Sequence, residues 1–263
     1  MRASSSASTT QATLRPSSAW TAWGQWLALI TMTVDHVTRY LLPDSWDVGW
    51  ASSSIGRIAF PLFAGMVAWH GLFNTRSPFG YAKRILIIGL IAQLPYMTMP
   101  RDGFQLNITF TLALGLIWGT WLRDLARRED QEAPLQRPLL LGASLLAWWL
   151  FGSWFEYGHY GLLLIPCYMF ALQALTQSTD SFQEHLLMVA ASVPVLLVAG
   201  LMNSSDMAKS FTVATTLLIL LLAAGAASRV PQISPGASMP RKVWLAWYPA
   251  HFAVIALLLH GPW

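Results

Sequence analysis

Apolar runs of membrane-crossing length recur along this chain, and they limit its fold more than any motif does. A helix that crosses the ~30 Å hydrocarbon core of a bilayer needs about 20 mostly apolar residues. Nine stretches reach or approach that length: Trp20–Leu42, Ile55–Asn74, Tyr81–Met99, Leu106–Leu122, Pro138–Phe151, Gly158–Leu175, His185–Met202, Phe211–Ser228 and Val243–Leu259. Pro138–Phe151 is the shortest of them. Lipid offers backbone groups no partners, so such runs form helices. The expected fold is all-α, a polytopic transmembrane helix bundle of about nine spans. Charged residues are 11% of the chain, against about 25% in a soluble domain. That is too little charge to cover a water-facing surface, which excludes a soluble enzyme, a disordered chain and a nucleic-acid-binding domain.

Residues 1–19 (MRASSSASTTQATLRPSSA) are rich in serine and threonine. They read as a disordered cytoplasmic tail ahead of a single transmembrane domain over 20–263. They do not resemble a cleavable signal, because the first apolar stretch is already span-length. Arg123–Pro138, with mixed charges, is the longest clear polar loop. Lysine and arginine favour the cytoplasmic side of short loops. Alternating the spans from the N-terminus puts Arg2, Arg15, Arg76, Lys83, Arg84, Arg123, Arg127, Arg128, Arg137, Arg229, Arg241 and Lys242 on one side. Arg101 and Lys209 fall on the other. Twelve against two places the N-terminus in the cytoplasm and, with nine spans, the C-terminus outside. The net charge of +4 follows from that topology and calls for no nucleic acid. With Cys167 as the one cysteine, an intramolecular disulfide and a zinc-finger spacing are both ruled out.

An ionisable side chain in hydrocarbon costs about 2.5–3.5 kcal/mol on insertion scales, so each one inside a span points to function. The first span carries Asp35, His36 and Arg39 in TVDHVTRY. On a helix Asp35 and Arg39 stand at i,i+4 and can pair, while His36 turns about 100° away. Asp35 lies about 22 Å along the helix from Trp20, in the outer half of the membrane. Arg57 enters the second span at the same level in IGRIAFPLF, and Pro61 removes the helical partner of its carbonyl. Gln93 and Tyr96 lie late in the third span, Asn107 opens the fourth, and Glu156, His159 and Tyr160 (FEYGHYG) open the sixth. His251, in WYPAHF, stands about 12 Å in from Val243, near mid-membrane. Chain parity brings these six segments to one polar zone, with His251 its deepest member.

Each of these residues also has a plainer reading. Asp35 and Arg39 can form a structural ion pair, Arg39 can snorkel outward, and Arg57 can mark an interface. His251 can be a bonded core histidine. Glu156 and His159 suit the interface, and Asn107 and Gln93 suit interhelical bonding as well as ligand contact. His70, His185, His260 and Cys167 read as structural, Pro95, Pro166 and Pro194 as kinks, and the fourteen tryptophans as interfacial belts. Two histidines, a carboxylate and arginines suit a transfer reaction on a molecule in or at the membrane. A histidine can take a proton from an amine or hydroxyl near neutral pH, and an arginine can hold a phosphate or a developing oxyanion. The spans hold neither HExxH nor a dense carboxylate cluster, so no metal is expected. A proton-coupled transporter could use the same residues.

Six pieces of the chain together resemble the TraX family, the pilin acetyltransferases of conjugative type IV secretion systems, with its TrbP-like relatives. They are VDH (Val34 to His36), GRIAFPLFA (Gly56 to Ala64), GLIAQLPY (Gly89 to Tyr96), Asn107-Ile108 with Phe110, YGHYGLLL around Tyr160, and YPAHFAVIAL around His251. They run in the family's order over roughly residues 25–115 and 155–260. The resemblance implies transfer of an acetyl group from acetyl-CoA to the processed N-terminus of a pilin subunit in the bacterial inner membrane. Lipids and other pilus-assembly proteins would be the neighbours. It also implies a distant similarity to membrane acyltransferases that modify extracytoplasmic sugars. Under it, His36 or His251 is the general base toward the pilin amine, and Asp35 orients or charge-balances the cluster. Arg57 and Asn107 would steady the thioester oxygen or the CoA phosphates, with Arg39, Gln93 and Tyr160 as further substrate contacts. The choice between the histidines stays open at this stage. So do a non-acetylating role in pilin maturation or pilus assembly, and a small-molecule transporter.

Overall fold

The computed structural model describes residues 16–127, 135–177, 179, 181–234 and 237–261. Most of the expected N-terminal tail (1–15) lies outside the described residues. Helix α1 spans Ala19–Tyr40 and α2 Gly49–Ser53. A 3₁₀ turn, Ile55–Ile58, leads into α3, Ala59–Trp69, which a π turn extends over His70–Asn74. Then follow α4 (Pro78–Met97), α5 (Ile108–Arg127), α6 (Gln136–Phe151) and α7 (Gly158–Leu175). The last four are α8 (Phe182–Ala190), α9 (Val193–Leu201), α10 (Asp206–Ala223) and α11 (Arg241–His260). Among the described residues β structure is limited to one isolated bridge, Leu106 to Phe155. The protein is all-helical, and among the described residues five segments are long and apolar enough to cross a membrane. They are Gly49–Asn74, Gly158–Leu175, Phe182–Leu201, Asp206–Ala223 and Arg241–His260.

Local chemistry explains where several helices start. Ser77 Oγ accepts from the Gly80 amide at 3.1 Å, with Pro78 in the first turn of α4. Ser205 caps α10 through the Ala208 amide in the same way. Two boundaries differ from the expected ones. The seventh apolar stretch is two helices parted at Ala191 and Ser192, because Pro194 cannot continue α8 and suits the first turn of α9. The polar loop expected from Arg123 is shorter: α5 runs on to Arg127, since basic side chains are favoured at a helix C-terminus. Pro138 in turn stands inside the first turn of α6, where a missing N–H leaves no gap. Residues 128–134 between them lie outside the described residues.

Helix α3 is the centre, with ten of its eleven residues buried. Helices α1, α5, α7 and α10 surround it, and α4 bridges α5 to α11. Helix α6 packs on α7 and the turn before it and buries none of its own residues. Outward side chains such as Leu94, Leu139 and Leu187 are apolar and at least 70% exposed, as on a surface that meets lipid. Helices α1, α4 and α11 run parallel. Trp247 donates to Thr33 Oγ1 at 3.0 Å across α1 and α11, and His260 Nε2 donates to the Thr98 carbonyl at 3.0 Å beyond the end of α4. Helix α3 returns antiparallel, so Trp69 reaches Ser18 at the foot of α1 at 2.8 Å. Two ends result. One holds Arg84 and Arg241; the other holds the polar cluster described next.

Candidate functional site

Helix α1 presents consecutive acidic and imidazole side chains to the packed side of the bundle. Asp35 and His36 are both buried. Asp35 Oδ1 accepts from Arg39 Nη2 at 3.1 Å, one turn along, and from the hydroxyl of Ser52 on α2. His36 Nδ1 lies 2.8 Å from His251 Nε2 on α11. The two rings are nearly parallel, 3° apart in plane with centroids at 5.0 Å. His36 Nε2 faces Asp35 Oδ2 at 3.7 Å, too far for a hydrogen bond. His251 Nδ1 donates to the Trp247 carbonyl at 2.9 Å. Phe252 packs against both imidazoles, with centroids at 4.6 and 4.2 Å, and Tyr248 flanks His251 at 5.5 Å.

Arginines ring this core. Arg39 pairs with Asp35, and Arg57 follows Gly56, which lies against the Asp35 side chain. Arg57 Nη1 donates to the Tyr157 hydroxyl at 3.4 Å, and its Nε is buried with no hydrogen-bond partner among the described residues. Tyr157 stacks on Phe60 at 4.3 Å and holds a left-handed backbone, φ 62°. The adjacent Glu156 has a buried Oε2, also without such a partner. Burial pushes the Glu156 carboxyl above the usual carboxylate range, against the pull of Arg39. Two connections close this end of the bundle. Leu106 donates its amide to the Trp154 carbonyl at 2.8 Å, and Glu156 donates to the Leu106 carbonyl at 2.9 Å. Arg101 lies over the Tyr96 ring at 3.5 Å.

Asn107 and Gln93 form a separate, saturated network. Asn107 Nδ2 donates to the Gly89 carbonyl at 2.9 Å and to Gln93 Oε1 at 2.8 Å. Its Oδ1 accepts from the Thr109 amide at 3.1 Å and from the Thr109 hydroxyl at 2.5 Å. Gln93 Nε2 donates to the Gln105 carbonyl at 2.8 Å. Asn107 is fully buried, so both halves of its amide are committed inside the protein.

The TraX protein family matches residues 23–259, from the second turn of α1 to the last turn of α11. The chain belongs to the TraX family. A curated relative, "Probable fimbrial assembly protein FimC, serogroup H1" of Dichelobacter nodosus, is 31% identical over 140 residues. That alignment takes in 49% of this chain and 54% of the relative, so the chain spans about half of that protein's length. No solved structure matches.

Within this TraX-family chain, Asp35, His36, Arg39 and His251 meet in one cluster, and Arg57 stands beside it next to Gly56, which lies against Asp35. Gln93 and Asn107 sit beside it as scaffold, each spent on interhelical hydrogen bonds. Tyr160 is 40% exposed and makes none of the cluster's hydrogen bonds. His159 Nε2 donates to the Trp149 carbonyl at 2.9 Å and ties α7 to α6. Ser52 and Tyr157 belong to the cluster although neither stands out in the sequence. The signal for Tyr157 was its place between Glu156 and Gly158; for Ser52 there was none. Cutting Asn107 to alanine would remove its side-chain bonds to Gly89 and Gln93 and leave the Thr109 amide and hydroxyl without their acceptor in the interior. A buried group left that way costs about 1–3 kcal/mol. Asn107→Ala should therefore lower the midpoint of thermal unfolding in detergent without altering the groups around His36. An unchanged midpoint would show that the network carries no stability.

Proposed function

We propose that the protein is an integral-membrane acyltransferase that acetylates the N-terminus of a conjugative pilin during pilus biogenesis, with acetyl-CoA as donor. In this reading the nine expected spans cross the bacterial inner membrane from a cytoplasmic N-terminus. The cluster then lies toward the outer face. Family membership and the fimbrial assembly relative support the pilus setting. The observation that carries the chemistry is the run Trp247–His251–His36–Asp35.

A backbone carbonyl only accepts, so His251 Nδ1 holds the proton that faces Trp247. In the neutral ring Nε2 is then an acceptor, and His36 Nδ1 donates to it. The lone pair of His36 is thereby left on Nε2, facing Asp35 Oδ2 at 3.7 Å. Two acceptors face each other across that gap, and a primary amine at its side can reach both. One amine N–H can go to the carboxylate and one to the ring nitrogen, which leaves the amine lone pair free to attack. His36 Nε2 takes the amine proton as the N–C bond forms, and delivers it to sulfur as the C–S bond breaks. Asp35 balances the imidazolium in between. Arg57, with an unpartnered Nε, offers a donor to the oxygen that gains charge. Asn107, with no donor to spare, holds the helices rather than the substrate.

Intact mass of the pilin made with and without this protein tests the proposal. The expected difference is one acetyl group, present with the wild-type chain and absent with His36→Ala. A second reading, a non-catalytic part of pilus assembly, is favoured by the name of the fimbrial relative. It requires that the pilin mass be unchanged while pili are lost. That result would replace the first reading.

A further inference from the structure

A chamber runs from the basic end toward the histidine pair. A cavity of about 610 Å³ lies among α1, α3, α4, α5 and α11. That is within the roughly 300–1,000 Å³ of small-molecule sites. Arg84, in the second turn of α4, and Arg241, the first residue of α11, stand at its mouth and are exposed. Its walls are mostly apolar, among them Val67, Ile88 and Leu112. Its deep end is formed by Met32 and Tyr248. Met32 lies one turn before His36 on α1, and Tyr248 packs against His251. The chamber thus stops about 6 Å, one helical turn, short of the imidazole pair.

We propose that this chamber binds the acyl donor, a coenzyme A thioester, with its phosphates at Arg84 and Arg241 and its narrow arm along the apolar wall. This rests on the acetyl-transfer reading and adds to it where the donor enters. Arg241 and His251 are ten residues apart on α11, about 15 Å. A ligand that engages both needs an anionic head and a long, slim, uncharged arm with its reactive carbonyl at the tip. A coenzyme A thioester has that shape. Two arginines suit phosphate oxygens, since each guanidinium can donate in a fork. An apolar wall suits an arm that must shed water before the carbonyl meets the nucleophile. The amine, in turn, approaches the Asp35–His36 gap from the opposite end. Donor and acceptor therefore need not pass each other. An anionic phospholipid shares the chemistry of a phosphate head on a long arm, and the test below separates the two.

Binding of labelled coenzyme A to the full chain in nanodiscs, measured by equilibrium dialysis, decides the matter without turnover. Wild type and His36→Ala should bind alike. The Arg84→Glu, Arg241→Glu pair, at an exposed mouth where folding is not at stake, should weaken binding at least tenfold. Ile88→Trp, which fills the chamber from a half-buried position, should do the same with the thermal midpoint retained. Equal binding by all variants overturns the chamber and leaves the pilin-mass result to stand alone. Displacement of coenzyme A by phosphatidylglycerol in the disc overturns it in favour of a lipid occupant. Absence of binding to wild type overturns the chamber if the pilin is still acetylated, and the transfer reading with it if the pilin is not.

Discussion

His36→Ala should slow pilin acetylation by about 10²–10⁴-fold, the usual contribution of a positioned general acid–base group, while the chain still accumulates in the membrane. The geometry distinguishes the two histidines, which spacing along the sequence did not. His251 has one nitrogen committed to the Trp247 carbonyl and the other to His36. His36 has a nitrogen left over, and it points at Asp35. In the proposed reaction His251 therefore acts through His36, by fixing which of its nitrogens carries the proton. Its replacements should separate accordingly. His251→Gln keeps an oxygen that can accept from His36 Nδ1 and should retain part of the activity. His251→Phe removes that acceptor, frees the His36 tautomer and should approach the loss seen in His36→Ala. Acetylated pilin has to be quantified by intact mass over time in all three. Full activity in His36→Ala, with both His251 variants dead, would reverse the assignment and make His251 the base.

Much of the cluster was legible in the chain because lipid makes exceptions expensive. A carboxylate, an arginine and a histidine within one apolar run, TVDHVTRY, need partners, and the partners were findable from other runs with the same problem. Hence Asp35, His36, Arg57 and His251 could be singled out before any contact was known. The same reasoning is blind to groups that cost little. Ser52 is an ordinary serine at a span edge, and only the fold-back of α2 onto α1 sets its hydroxyl on Asp35. Tyr157 shows its partner only in the fold, where the 154–156 connection pairs with Leu106 and its hydroxyl meets Arg57. Asn107 could equally have been ligand contact or glue. The choice depends on whether Gly89 and Gln93 stand within reach, which hydropathy does not encode. The chamber was the least legible feature, since it is a space between five helices and no single stretch announces it.

Gly56→Ala should damage the site as severely as loss of a catalytic group, although Gly56 touches no substrate. A Cβ built at this position falls 2.6 Å from Asp35 Oδ1 and 2.7 Å from Asp35 Cβ. The second contact is the decisive one. Rotation of the carboxylate could relieve the first, but Asp35 Cβ is fixed to the backbone of α1. The 3₁₀ turn that carries Gly56 and helix α1 must then move apart. Overpacking of this kind costs typically about 1–3 kcal/mol. The functional cost is larger, because His36 follows Asp35 on the same helix and its bond to His251 spans only 2.8 Å. Misplacement of reacting groups by about 1 Å can cost about 10²-fold in rate. Gly56→Ala should accordingly lower acetylation about 10²-fold, with a modest fall in the thermal midpoint. Gly142 on α6 provides the contrast, with nothing within 4 Å of its added Cβ. Gly142→Ala should leave acetylation untouched and raise helix stability slightly. Equal activity in the two variants would mean that the close approach of Gly56 to Asp35 does not set the position of His36.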